Sequence, residues 1–169
     1  MAKTHLDEIV DVPSTVIREL YNNNEFVSLI TNIPNADIED EVVEDTWDDC
    51  MCDYDYVDGT VQENRCFCCV DTTIYADTET IKQVYISIVI GVPHSLMSLK
   101  GTKFTGIKGN RRDNLIRMLD LTLRDSHKFG IGGIVFDKVE PVSIAGKAFS
   151  CKRIIYEATN FAKGLIDNG

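Results

Sequence analysis

Long apolar runs are missing from this 169-residue sequence. None approaches the ~20 consecutive apolar residues that span a bilayer, so no membrane role is expected. Met1 to Glu8 hold no apolar signal region, which predicts a chain made and used in a cytoplasm, or in an assembly built there. Paired histidines are missing too. His5, His94 and His127 stand far apart, and no Ser or Cys neighbour makes a nucleophile–base pair with them. No glycine-rich loop opens a helix to cradle phosphate, because Gly130-Ile131-Gly132-Gly133 precedes a strand pattern instead. We therefore expect no enzyme and no cofactor. There is no internal repeat.

The most uneven scarcity is that of basic residues. Between Glu19 and Asn64 there are 14 acidic residues and no Lys or Arg, whereas Arg65 to Gly169 hold 15 basic against 10 acidic residues. The net charge is −10. One reading is a solvated acidic loop. The sharper one is a subunit with a strong dipole, stacked on a partner of opposite sign or lining a channel. An acidic channel wall repels phosphates and lets a duplex slide past. The same imbalance argues against a conventional DNA binder, which is usually basic.

What is present suits one domain over residues 1–169. Val12-Pro13-Ser14 reads as a helix start, with Val16, Ile17, Leu20 and Tyr21 at helical spacing. Asn22 to Asn24 break this helix before Phe26, Val27, Leu29 and Ile30 continue it. Residues 32–64 are expected to be an acidic, cysteine-containing loop or insertion, since apolar anchors there are sparse. Arg65 to Ile74 alternates as a strand. Lys82 to Val92 is apolar on both faces, which predicts a central strand. His94 to Gly109 is a loop by composition. Asn110 caps a helix reaching His127, with Leu115, Ile116, Met118, Leu119 and Leu123 as the buried stripe and Arg111, Arg112, Arg117 and Arg124 mostly off it. His127 and Lys128 suit its last turn, and Gly130 its close. Strands follow around Ile134 to Ser143 and Ser150 to Ala158. The fold class is α+β: a single mixed or antiparallel sheet with helices packed on it, in the order α–β–β–α–β–β.

Two clusters invite chemical readings. Cys50, Cys52, Cys66 and Cys68 could converge on tetrahedral zinc, but they lack Cys-x-x-Cys spacing, and a strand puts Cys66 and Cys68 on one face with Cys69 on the other. Buried free thiols, zinc, and disulfides within or between subunits stay open, and a metal-binding module built on these cysteines is the reading from a different functional class. Asp53-x-Asp55-x-x-Asp58-Gly59 has Asn64 where a calcium loop needs its closing Glu, and reads as a solvated acidic turn. Arg111-Arg112 with Lys103 and Lys108 makes a small basic patch, suited to a phosphate backbone, an acidic neighbour or solvent.

A resemblance joins these parts. The strings Gly101-Thr102-Lys103, Arg112-Asp113-Asn114-Leu115-Ile116-Arg117-Met118-Leu119, Lys128-Phe129-Gly130-Ile131-Gly132-Gly133, Val139-Glu140-Pro141-Val142 and Arg153-Ile154-Ile155-Tyr156-Glu157-Ala158-Thr159-Asn160-Phe161 resemble tailed-bacteriophage tail terminator and neck proteins. The Pro93-His94-Ser95-Leu96-Met97 strand exit belongs to the same pattern. Residues 38–64 depart from it. The resemblance implies a tail-terminator-like fold and a virion structural protein assembled in the host cytoplasm. It also implies a homo-oligomeric ring, commonly of six subunits, at the head–tail junction, where it caps the tail tube (and sheath where one exists), docks the neck and lets DNA pass without specific binding. Another neck or head-completion ring is the close alternative. Within this reading Arg111, Arg112 and Arg117 are expected at subunit contacts, and Asp45, Asp48 and Asp49 toward the lumen or an axial partner.

Overall fold

A computed structural model describes residues 9–55, 64–77, 80–104, 106–124, 126, 133–143 and 148–159. His127, Lys128, the Gly130-to-Gly132 run and Asp58-Gly59 lie outside them. Among the described residues no helix is long and apolar enough to cross a membrane.

Two short helices follow the helical residues Ile9 and Val10. Helix α1, Val12–Tyr21, takes Pro13 in its first turn, where no intrahelical N–H is needed, and buries Val12, Val16 and Leu20. Helix α2, Asn24–Thr31, starts where the Asn23 side chain accepts a hydrogen bond from the Phe26 N–H, and ends on Asn32 in the left-handed region at φ 62°.

The expected loop over 32–64 is corrected here. Its middle is a ten-residue helix, α3, Glu41–Cys50, capped by Asp40 accepting from the Val42 N–H. Val43, Trp47 and Cys50 recur at i, i+4 and i+7, enough to bury one stripe. Trp47 meets Tyr21 at a centroid distance of 5.0 Å and Phe26 edge-on at 6.1 Å. The helix runs directly into β1, Met51–Cys52.

The remaining elements are β2, Phe67–Asp77; β3, Thr80–Pro93; a 3-10 turn, His94–Leu96; α4, Arg111–Leu123; β4, Gly133–Val142; and β5, Phe149–Thr159. They form one five-stranded mixed sheet in the order β1-β2-β3-β5-β4, parallel only between β1 and β2. The α+β class and the central place of the Lys82–Val92 strand therefore hold. Val84, Ile86, Ile88 and Ile90 face the helices with Val70, Ile154, Tyr156 and Leu115 in the main core.

The opposite face of the sheet carries no helix among the described residues. Near one end it holds a small cluster of Phe67, Cys69, Val89 and Cys151, flanked by Cys52, Val142 and Phe149. Gly91 is required there, because a Cβ on it would fall 2.1 Å from the Phe67 ring. Beyond that cluster Thr73, Tyr75, Tyr85, Ser87, Lys138, Arg153 and Ile155 line a shallow concavity of about 400 Å³.

In the helical layer α2 lies between α3 and α4. Helix α3 also leans on β1 and β2, and α4 on β3 and β5. The acidic and arginine-bearing helices thus flank the layer on either side.

Candidate interaction surfaces

The acidic surface follows from how α3 buries its stripe. With Val43, Trp47 and Cys50 inward, Glu41, Glu44, Asp45, Asp48 and Asp49 all point to solvent, and Asp37, Glu39 and Asp40 are exposed just before them. Asp49 pairs with Arg65. Among the described residues, no Lys or Arg lies within ion-pairing distance of Glu41, Glu44, Asp45 or Asp48. Like charges three and four residues apart on a helix repel one another, so this face carries an uncompensated field. Asp45, Asp48 and Asp49, singled out from the sequence, do share one surface.

The arginines divide differently. Arg111 is not a surface residue at all: it is 1% exposed, and its expected place at a subunit contact is corrected by the geometry. Its Nε donates to the Leu96 carbonyl at 2.8 Å, one terminal nitrogen to the Leu29 carbonyl at 2.6 Å, and the other to the Asn32 side chain at 2.7 Å. The guanidinium also lies 4.7 Å from the centre of the Phe104 ring. Leu29 and Asn32 belong to the C-terminal end of α2, where carbonyls and the helix dipole favour a cation. Burial lowers the Arg111 pKa, and the three hydrogen bonds offset that cost. Arg111 is an internal tie between α2, α4 and the 3-10 turn.

Arg112 is largely engaged as well, with Asp113 at 2.9 Å and with the Ser150 hydroxyl. Asp113 also receives Lys152 at 3.0 Å and the Asn110 side-chain amide at 2.7 Å, while its own N–H donates to Asn110 Oδ1 at 2.8 Å. Burial pushes the Asp113 carboxyl up, but donors from Asn110, Lys152 and Arg112 outweigh it and bring its pKa down to about 2. The expected cap at Asn110 is thus present, and α4 ends at Leu123, short of His127.

Arg117 remains a surface cation, 59% exposed and 4.0 Å from Glu25. Lys100, Lys103 and Lys108 are exposed on the loop leading into α4. The basic surface is therefore Lys100, Lys103, Lys108 and Arg117, with Arg111 removed from it. Lys100 joins Lys103 and Lys108, the two lysines of this loop that the sequence singled out.

The four candidate zinc ligands do not converge. The β1–β2 register sets Met51 opposite Cys68 and Cys52 opposite Cys69. Cys50, Cys66 and Cys68 lie in the core under the helices, whereas Cys52 and Cys69 belong to the opposite face. Burial pushes the Cys50 and Cys66 thiols up to about 12, as in small apolar fillers of a core. Among the described residues no group of three or more His, Cys, Asp or Glu side chains is arranged to hold a metal ion.

Comparison with protein-family models matches residues 17–158 to one family, described as YomW. The chain belongs to the YomW family. That name comes from phage-derived genes and points to a phage-encoded protein. The match runs from α1 through β5, so it takes in both the acidic helix and the basic loop. No curated protein and no solved structure matches the chain.

Proposed function

We propose that the chain is a non-enzymatic virion protein, a tail terminator that forms a ring at the head–tail junction of a tailed phage. The observation that carries this reading is the separation of charge across the helical layer. Uncompensated carboxylates of α3 lie on one side of α2 and α4 with Arg117 on the other, while Lys100, Lys103 and Lys108 are exposed on the loop leading into α4. A closed ring joins one patch of each subunit to a different patch of the next. Opposite charge on those patches speeds encounter and fixes register. Family membership supports a phage role, and the terminator class is what the sequence resemblance implies.

The test is native mass at low and moderate salt. A discrete species at about six times the 19.0 kDa chain mass, loosening as salt rises, fits the ring. A chain that stays monomeric at every concentration and salt level contradicts a self-assembling terminator. A ring that ignores tail-tube protein but binds a head-side partner belongs instead to the neck or head-completion class.

A further inference from the structure

We infer that Cys52 and Cys69 form a dithiol site that closes to a disulfide when it meets a small-molecule disulfide oxidant such as oxidised glutathione. Cys52 stands directly opposite Cys69 in the β1–β2 pairing. Neighbouring strands lie about 4.8 Å apart, inside the window of roughly 4.4–6.8 Å between Cα atoms that a disulfide bridges. Both side chains belong to the cluster on the helix-free face of the sheet, so both sulfurs leave the sheet on the same side. The other thiols are placed differently. Cys50, Cys66 and Cys68 are under the helices. Cys151 is on β5, separated from β2 by β3.

The two sulfurs are unequal in a way that suits stepwise exchange. Cys69 is 1% exposed, whereas Cys52 is half-buried and reachable. The hydrogen bond from Cys69 lowers the Cys52 pKa, and a second from the Tyr54 hydroxyl adds to it, together outweighing burial. Cys69, the donor, is held protonated. Cys52 is therefore the thiolate that attacks. Its sulfur bonds to one sulfur of the oxidant, the oxidant's S–S bond breaks, and one glutathione thiolate leaves. Cys69 then gives up its proton to solvent and attacks the Cys52 sulfur, expelling the second glutathione. Two protein thiols are oxidised and one small disulfide is reduced to two thiols.

The bond would tie β1 to β2. Because α3 ends at Cys50, immediately before β1, the C-terminal end of the acidic helix would become covalently anchored to the sheet. This inference rests on strand register and stands whether or not the chain forms a ring.

The experiment equilibrates the purified full chain with glutathione buffers of rising oxidised fraction at neutral pH. Remaining thiols are then quenched and alkylated, and the peptides mapped by fragmentation that separates Cys50 from Cys52. The expected product joins Cys52 to Cys69 and is about 2 Da lighter, with Cys50, Cys66, Cys68 and Cys151 alkylated. Its melting temperature should rise by about 5 °C. Cys52→Ser should abolish the product and Cys151→Ser should not; should either variant fail to fold, the wild-type map decides alone. A bond between any other pair, a glutathione adduct on Cys52 that never closes, or six free thiols in the most oxidising buffer would each overturn the inference.

Discussion

Helices α3 and α4 are near neighbours on either side of α2, yet they spend their charges in opposite ways. Helix α4 turns two of its arginines into structure: Arg111 holds two distant carbonyls and the Asn32 side chain from within the core, and Arg112 joins the Asn110–Asp113–Lys152 group at the helix start. Helix α3 turns almost none of its carboxylates inward. It buries an apolar stripe and leaves Glu41, Glu44, Asp45 and Asp48 without cations among the described residues. Formal charge in a sequence is thus a poor guide to charge at a surface. The acidic helix leaves its charge at the surface, and part of the basic half is already consumed within the fold.

The contrast can be broken at its strongest points first. Trp47→Ala removes the ring that seats α3 against Tyr21 and Phe26, and should cost about 3–5 kcal/mol in urea unfolding. Arg111→Ala leaves the Leu29 carbonyl and the Asn32 side chain in want of a donor, and should cost about 2–4 kcal/mol. If the loss stayed below about 0.5 kcal/mol, as for an ordinary surface change, the internal tie would be wrong. Asn110→Ala removes the α4 cap and should cost about 1 kcal/mol.

Acid should expose a smaller effect at Asp113. Its folded pKa of about 2 lies below the usual unfolded value of about 3.9, so its contribution is present above about pH 4 and lost as pH falls toward 2. The carboxyl is 46% exposed, so solvent screens the effect and it should stay within about 1 kcal/mol. Urea midpoints of the wild type and Asp113→Asn should converge over that interval; a gap that persists at pH 2 would refute it. Smallest of all, Asp45→Asn with Asp48→Asn should leave stability within about 0.5 kcal/mol of wild type, or raise it by relieving repulsion along the helix.

Much of this was legible in the residues, and the misses have physical causes. Strand β3 could be read because Val84 to Ile90 alternate over a run apolar on both faces, a pattern that a central strand produces. The start of α4 was plain from Asn110 and Asp113. Helix α3 was hidden because only Val43, Trp47 and Cys50 mark its stripe, one of them a cysteine that also invited a metal reading, among seven mostly charged positions. Arg111 was misplaced although it precedes Leu115 by four residues and Met118 by seven, and so lies on the buried stripe. The carbonyls that make its burial tolerable belong to α2 and to the turn after β3, and no local pattern in α4 announces them. The zinc reading failed on register, which neighbouring strands decide and spacing along the chain does not.

The central claim is that the acidic face of α3 on one subunit meets the basic flank of the next. The most direct measurement mixes chains of two nitrogen isotopes, allows assembly, and applies zero-length carbodiimide cross-linking before peptide mass spectrometry. The account predicts mixed-isotope cross-links from Glu41, Glu44, Asp45 or Asp48 to Lys100, Lys103 or Lys108. Cross-links confined to single chains, or mixed links that avoid α3 altogether, would contradict it.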